Sequence, residues 1–222
     1  MKLLVLVLAI FVTGCGGTAG QSTSAATVDE LIQPSASPSA ESGRGALCAQ
    51  GFEPCSLEAG TYSAAPFAPN FSFTIGDAWQ NDRAFVDGGG ISREMGGIIW
   101  ASGVSHGTVG REEVAIGASP DDFVAFLQSL KATGMTVSEP TSATVDGATG
   151  QQLDVESNDV EAPGLYFIAE DTFLLVPDEK VRFIVLDKDG TTVLFILESY
   201  KTADFAAWLD TSQPVVDSIS WE

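Results

Sequence analysis

Two consecutive runs constrain this chain more than anything else in it. Val181 to Asp187 and Thr191 to Ser199 are apolar at nearly every position and are joined by Lys188-Asp189-Gly190. Asp-Gly in a short connection between β-branched and aromatic runs signals a hairpin. A strand with one wet face alternates polar with apolar residues, whereas Phe183-Ile184-Val185-Leu186 and Val193-Leu194-Phe195-Ile196-Leu197 do not. Both arms are therefore expected to be covered on both faces and to lie centrally in a sheet.

Around them the pattern predicts further strands. Phe71, Phe73 and Ile75 alternate with Ser72 and Thr74, the period of a half-buried strand. Shorter runs at 98–101, 113–116, 135–138, 151–156, 165–168 and 173–176 also read as strands. Gly88-Gly89-Gly90 reads as a flexible turn between Val86 and Ile91; with no helix or Lys after it, it is no phosphate cradle. Ser119 caps a predicted helix with Pro120 at its first position and Asp121 and Asp122 at the positive end of its dipole. Phe123, Phe126, Leu127 and Leu130 then recur on one face, and Gly134 stops it. A second helix starts near Thr202, buries Phe205, Trp208 and Leu209, and is expected to break before Pro214, with Val215, Val216 and Ile219 in a last helical piece. The class is α+β, a mainly antiparallel sheet packed with two or three helices.

The N-terminus is an address. Lys2, the apolar run from Leu3 to Val12, and small residues before Cys15 make a secretory signal peptide over 1–14, too short to span a bilayer as a helix. Val12-Thr13-Gly14-Cys15 resembles the lipobox of bacterial lipoproteins, which implies acylation of Cys15, cleavage just before it, and a protein held on the outer face of a cell membrane by its lipid. Two or more acyl chains hold firmly where one does not. Residues 15–46 are then the lipidated Cys and a tether rich in Ser, Ala, Thr, Gly and Pro, unable to bury enough surface to offset chain entropy. Its reach is about 30 Å by random-coil statistics.

The globular part is expected over 47–222. It carries 8 basic and 27 acidic side chains, net −19 of the chain's −20. A surface this acidic cannot neutralise a polyanion, which excludes nucleic acid as a partner. It is also repelled by anionic headgroups, so contact with the membrane falls to the lipid. With Cys15 acylated, Cys48 and Cys55 remain as an even pair in an exported chain and are expected to form a disulfide.

Phe67-Ala68-Pro69, the run from Phe71 to Trp79, the mid-chain amphipathic helix, the meander at Thr144-Val145-Asp146-Gly147 and the close Val216-Asp217-Ser218-Ile219-Ser220-Trp221 resemble uncharacterised bacterial exported domains and the PsbP/Mog1-like superfamily. The resemblance implies an α/β/α sandwich, a C-terminal helix ending in a short strand, and a binding role; it transfers no functional residue.

No complete catalytic set emerges. Gly103-Val104-Ser105-His106-Gly107 matches G-x-S-x-G, but a nucleophile elbow needs a helix next, and Thr108-Val109-Gly110 starts one poorly. The single His in the chain is the neighbour of Ser105, where it is not expected to serve as its base. A lone His cannot build the usual catalytic zinc site. Asp154, Glu156, Asp159 and Glu161, or Asp187 and Asp189, could offer oxygens to calcium without the EF-hand spacing. No cofactor and no metal site is expected. The reading that follows is a membrane-anchored extracytoplasmic binding or assembly module whose partner is an envelope protein, a glycan or a small molecule. A serine hydrolase using Ser105 and a calcium-binding surface domain are the alternatives. Asp77, Trp79 and Arg83 mark the candidate contact surface.

Overall fold

The computed structural model describes residues 44–48, 53–109, 112–158, 164–166 and 172–222. The leader, Cys15 and the tether up to residue 43 lie outside the described residues, as do Asp159 and Glu161.

The strands open with β1 (Arg44–Ala46), β2 (Cys55–Leu57), β3 (Gly60–Ser63), β4 (Phe71–Ile75), β5 (Trp79–Ala84) and β6 (Gly88–Arg93). They continue with β7 (Gly96–Ser102), β8 (His106–Val109) and β9 (Glu112–Ala115), then helix α1 (Pro120–Ser129) and β10 (Thr136–Val137). After these come β11 (Thr141–Val145), β12 (Ala148–Glu156), β13 (Gly164–Tyr166), β14 (Thr172–Leu174), β15 (Lys180–Lys188) and β16 (Thr191–Ser199). Helix α2 (Phe205–Asp217) and β17 (Ser220–Trp221) close the chain. The main sheet has nine strands in the order β10-β12-β15-β16-β7-β6-β5-β2, with β11 paired to β12. A four-stranded sheet β1-β3-β4-β17 and another, β14-β13-β8-β9, complete the fold. All strand pairs are antiparallel except β1 with β3, so the class is α+β with a mainly antiparallel sheet.

The apolar hairpin is central, as its sequence requires. β15 and β16 pair along nine residues, with Asp189 (φ 53°) and Gly190 (φ 84°) at the tip. Two positive φ values in a two-residue loop make the turn whose twist matches the strands it joins. Asp146 (φ 44°) and Gly147 (φ 82°) build the same turn between β11 and β12. Successive residues of the hairpin alternate between two cores. Phe183, Val185, Leu194 and Ile196 pack with α1, through Phe123, Val124, Phe126, Leu127 and Leu130. Ile184, Leu186, Val193, Phe195 and Leu197 pack with β4 and α2, among Phe71, Phe73, Trp79, Trp100, Trp208 and Val216.

Helix α1 starts with a capping box in which Ser119 and Asp122 satisfy each other's backbone N–H groups, and it passes through a 3₁₀ turn to Gly134 at φ 92°. Both ends agree with the pattern read from the sequence. Three expectations fail. Gly88–Gly90 is no flexible turn but the start of β6, because a Cβ on Gly89 would lie 2.6 Å from the Trp100 ring, and the close packing of that indole needs a bare backbone. α2 does not break before Pro214; it runs on to Asp217, since Pro214 and Asp210, whose carbonyl loses its partner, both face solvent. Strand pairing begins at Arg44, three residues before the expected edge of the body, and Arg44 is ion-paired with Glu222. Cys48 and Cys55 are joined as a disulfide with their Cα atoms 6.1 Å apart.

Candidate functional sites

The three surface residues singled out from the sequence are not brought together. Trp79 is only 2% exposed and packs against Trp208 at 5.8 Å, with Arg93 over its ring. A large indole followed by a helix-facing strand finds more apolar surface inside than outside. Asp77 is exposed in the turn before β5, whereas Arg83 lies near the other end of β5, six residues on, a span of about 20 Å for extended chain. Trp79 therefore belongs to the core and not to a contact surface.

One cavity of about 260 Å³ opens where three connections meet. Gly103, Val104 and Ser105 follow β7, Ile116 and Ala118 lead into α1, and Gly190 to Thr192 turn into β16. The segments are tied together: Ile116 N–H donates to the Ser105 carbonyl at 2.8 Å and Thr192 Oγ1 donates to the Ala118 carbonyl at 2.6 Å. Among the described residues none that lines it carries a charge, on a body that is strongly acidic elsewhere.

At the edge of this cavity Ser105 Oγ lies 2.8 Å from Nδ1 of His106. The sequence does not offer this His as the base, because the neighbour of a residue in a helix or strand points elsewhere. Ser105 precedes β8 and sits in the connection, where that alternation does not apply. The rest of a nucleophile elbow is missing. The chain continues into strand β8 and not a helix, and among the described residues no carboxylate bonds to the other ring nitrogen of His106.

The residues considered for calcium are engaged otherwise. Asp154 receives two hydrogen bonds from Arg182, at 2.7 and 3.1 Å, and Glu156 pairs with Lys180 at 3.3 Å. Asp187 accepts the Gly190 N–H at 2.7 Å, and Asp189 pairs with Lys188. Among the described residues no three His, Cys, Asp or Glu side chains are grouped to hold a metal.

A second polar assembly lies on the α1 side of the main sheet, beyond the helix. The register aligns Val155, Val181, Glu198, Gly97 and Ser92 in one row across β12, β15, β16, β7 and β6. The apolar part of the row ends at Glu198. Gly97 has no side chain to fill the space beside it, and a Cβ there would lie 3.5 Å from Glu198 Oε2 and 3.8 Å from the Tyr200 hydroxyl. The Ser92 hydroxyl favours the ionised forms of both Asp82 and Tyr200, against the effect of burial. Burial, the nearby Glu179 and, more weakly, Asp82 raise the Glu198 carboxyl to about 7, opposed by Arg83. Burial also pushes Glu179 and Asp82 up, and burial together with Glu198 raises Tyr200. Sequence order hides this cluster, since its members come from four places in the chain. The one local signal is Glu198 itself, a charge that strict alternation within an apolar strand assigns to a covered face.

No protein-family profile matches the sequence, and a search of curated proteins finds no match. Among solved structures, the chain is similar to the solution structure of cyanobacterial PsbP (CyanoP) from Synechocystis sp. PCC 6803, at 10% identity and a TM-score of 0.36, covering 68% of this chain and 86% of that one.

Proposed function

We propose that this protein is a lipid-anchored extracytoplasmic binding module, non-enzymatic, with its ligand seat in the loop-end cavity. On this reading Cys15 carries the acyl chains, the segment up to residue 43 spaces the body from the membrane, and the body is an α/β/α sandwich of the PsbP/Mog1-like kind. The layering supports the last point: α1 lies on one side of the nine-stranded sheet and α2, with β4, on the other.

The observation that carries the binding reading is a cavity without charge among its described lining residues, on a body of net −19. At about 260 Å³ it is just below the usual range for drug-sized ligands, sized for a sugar ring or a comparable neutral group, and its described lining offers no charge to recognise an ion. The test is a titration of the isotope-labelled protein with neutral envelope saccharides, followed by NMR. Saturable shifts at Ser105, Ile116 and Thr192 are expected; shifts elsewhere only, or none, reject the cavity as the seat.

The Ser105–His106 contact favours a second reading, a serine hydrolase. When the hydroxyl donates, Nδ1 is placed as a general base would be. The absence of an orienting carboxylate among the described residues and of the elbow helix weighs against it. Fluorophosphonate labelling of Ser105, lost in His106→Ala, would establish that reading over the first.

A further inference from the structure

Two sheet edges of this molecule are finished differently. At the edge strand β17 the backbone N–H of Trp221 donates to the Asp146 carboxylate at 2.8 Å, and its indole N–H donates to the Val145 carbonyl at 3.0 Å. The β11–β12 turn thus caps that edge. β9 is left open. It ends the sheet β14-β13-β8-β9, no described strand pairs on its far side, and all four of its residues are exposed.

Register shows what the open edge presents. Ile116 N–H donates to the Ser105 carbonyl at 2.8 Å, so these two residues are a hydrogen-bonded pair of the β8–β9 ladder. Such pairs alternate along an antiparallel ladder, which gives Gly107 with Val114, and Val109 with Glu112, the same role. Glu113 and Ala115 fall between them, opposite Thr108 and His106, and their N–H and C=O groups point away from β8. Main-chain donors and acceptors are therefore ranged along an exposed edge, the template on which a further strand forms.

Charge selects what can take that edge. Segment 111–122 holds Arg111 against Glu112, Glu113, Asp121 and Asp122, net −3 within a chain of net −20. A second copy of this chain brings the same glutamates and another strongly acidic body, and like charges across a strand pair repel. A cationic segment meets the opposite field. The second half of the strand, Val114 and Ala115, pairs best with apolar or β-branched residues.

We propose that β9 is a docking edge for an extended segment of a partner protein, in which an apolar or β-branched pair precedes a basic pair, added as an antiparallel strand beyond β9. Glu113 and Ala115 supply the main-chain hydrogen bonds. Val114 and Ala115 lie across from the apolar pair, and Glu112 and Glu113 across from the basic one. The edge stops one residue short of Ile116 in the cavity lining but is separate from the cavity, so it holds or fails independently of the saccharide reading.

The test is an NMR titration of the isotope-labelled protein with a short capped peptide in which a threonine–valine run precedes two lysines. Saturable shifts and slowed amide exchange at Glu113 and Ala115 are expected, without the shifts at Ser105 and Thr192 that a cavity ligand gives. The same peptide N-methylated at the amides that face β9 keeps its charge but cannot pair, and its affinity is expected to fall about tenfold. Ala115→Pro removes an outward donor while taking no bond from β8, and is expected to weaken binding to a similar degree. Glu113→Lys is expected to weaken it about tenfold, and Glu94→Lys, the same charge change in the exposed turn after β6, to leave it unchanged.

Equal binding of the N-methylated peptide, or by Ala115→Pro, means attraction by charge alone and overturns the added strand. Should Ala115→Pro fail to fold, the N-methylated peptide decides the matter on the native protein. Equal binding by Glu113→Lys, or of a peptide with glutamates in place of the lysines, overturns the cationic partner. Shifts at 112–115 on concentrating the protein alone make the edge a contact between copies, and no shifts there with the peptide reject it as a docking edge; either result overturns the proposal.

Discussion

The two faces of the nine-stranded sheet are finished differently. On one, α2 and β4 press an aromatic network onto the strands: Phe71 meets Trp100, Phe195 and Trp221 edge-on at 5.3 to 5.6 Å, and Trp208 meets Trp79. On the other, α1 covers β12, β15 and β16 with aliphatic and Phe side chains but does not reach across β6 and β5. Glycine and short polar side chains take over there, and the carboxylates gather where the helix cover stops. A sheet face left without a helix need not become an apolar patch; here it becomes a place where charge is only partly hydrated and proton affinity is shifted.

The largest effect that can break this contrast is on the sealed face. Trp208 is fully buried, and its indole N–H has no hydrogen-bond partner among the described residues, so Trp208→Ala removes apolar packing and none of the hydrogen bonds described for its side chain. A loss of about 3–5 kcal/mol in urea unfolding is expected. A loss below about 1 kcal/mol would mean that this face is not packed as described.

The open face should respond to pH where the sealed one does not. Glu198 has a raised carboxyl in the folded chain, about 7 against 4.5 for an ordinary Glu, so the folded state binds the proton more tightly. Its contribution is complete below about pH 4.5 and is lost as pH rises through 7. Partial exposure discounts the shift to about 2 kcal/mol between pH 5 and 8. Parallel urea titrations of the native chain and Glu198→Gln at those two pH values isolate it, the expected sign being greater native stability at pH 5 relative to the variant. The raised Glu179 and Asp82 act in the same direction, and Asp122, lowered by its hydrogen bonds to Ser119, acts in the opposite one.

Gly89→Ala probes the glycine strand between these regimes. The new methyl would meet the Trp100 indole, which is buried among Phe71 and Phe73 and has little room to yield. Overpacking of this kind costs about 1–3 kcal/mol. Near-UV circular dichroism of the variant shows whether Trp100 has moved; an unperturbed spectrum with native stability would return Gly88–Gly90 to the flexible turn its composition suggests.

That glycine strand marks how far the sequence could be read. The β15–β16 hairpin and α1 were legible because their signals are local: an Asp-Gly tip, an apolar run, a cap with Pro behind it. β5 and β6 were not, because Gln80, Asn81, Asp82 and the three glycines follow the shapes of partners elsewhere in the chain, and Trp100 above all. Helix α2 was misjudged at Pro214 since its cost depends on whether Asp210 faces water, which no local pattern records. The cavity could be named only by Ser105, and the carboxylate cluster only by Glu198; in both cases the partners arrive from segments tens of residues away, through connections for the first and register for the second.

The smallest expected effect separates the two helices that cover the faces. α1 begins with a reciprocal cap, in which Ser119 Oγ accepts the Asp122 N–H at 3.2 Å and the Asp122 carboxylate accepts the Ser119 N–H at 3.3 Å. α2 has no side-chain cap; it enters from a 3₁₀ turn at Thr202–Asp204 and is held by Trp208, Val215 and Val216. Ser119→Ala should therefore cost about 1 kcal/mol, the usual loss for an N-cap hydroxyl. Asp204→Ala removes no capping bond and should stay within about 0.5 kcal/mol. If the two substitutions cost the same, α1 owes its position to its buried stripe just as α2 does, and the contrast between a helix fixed by its end and a helix fixed by its face disappears.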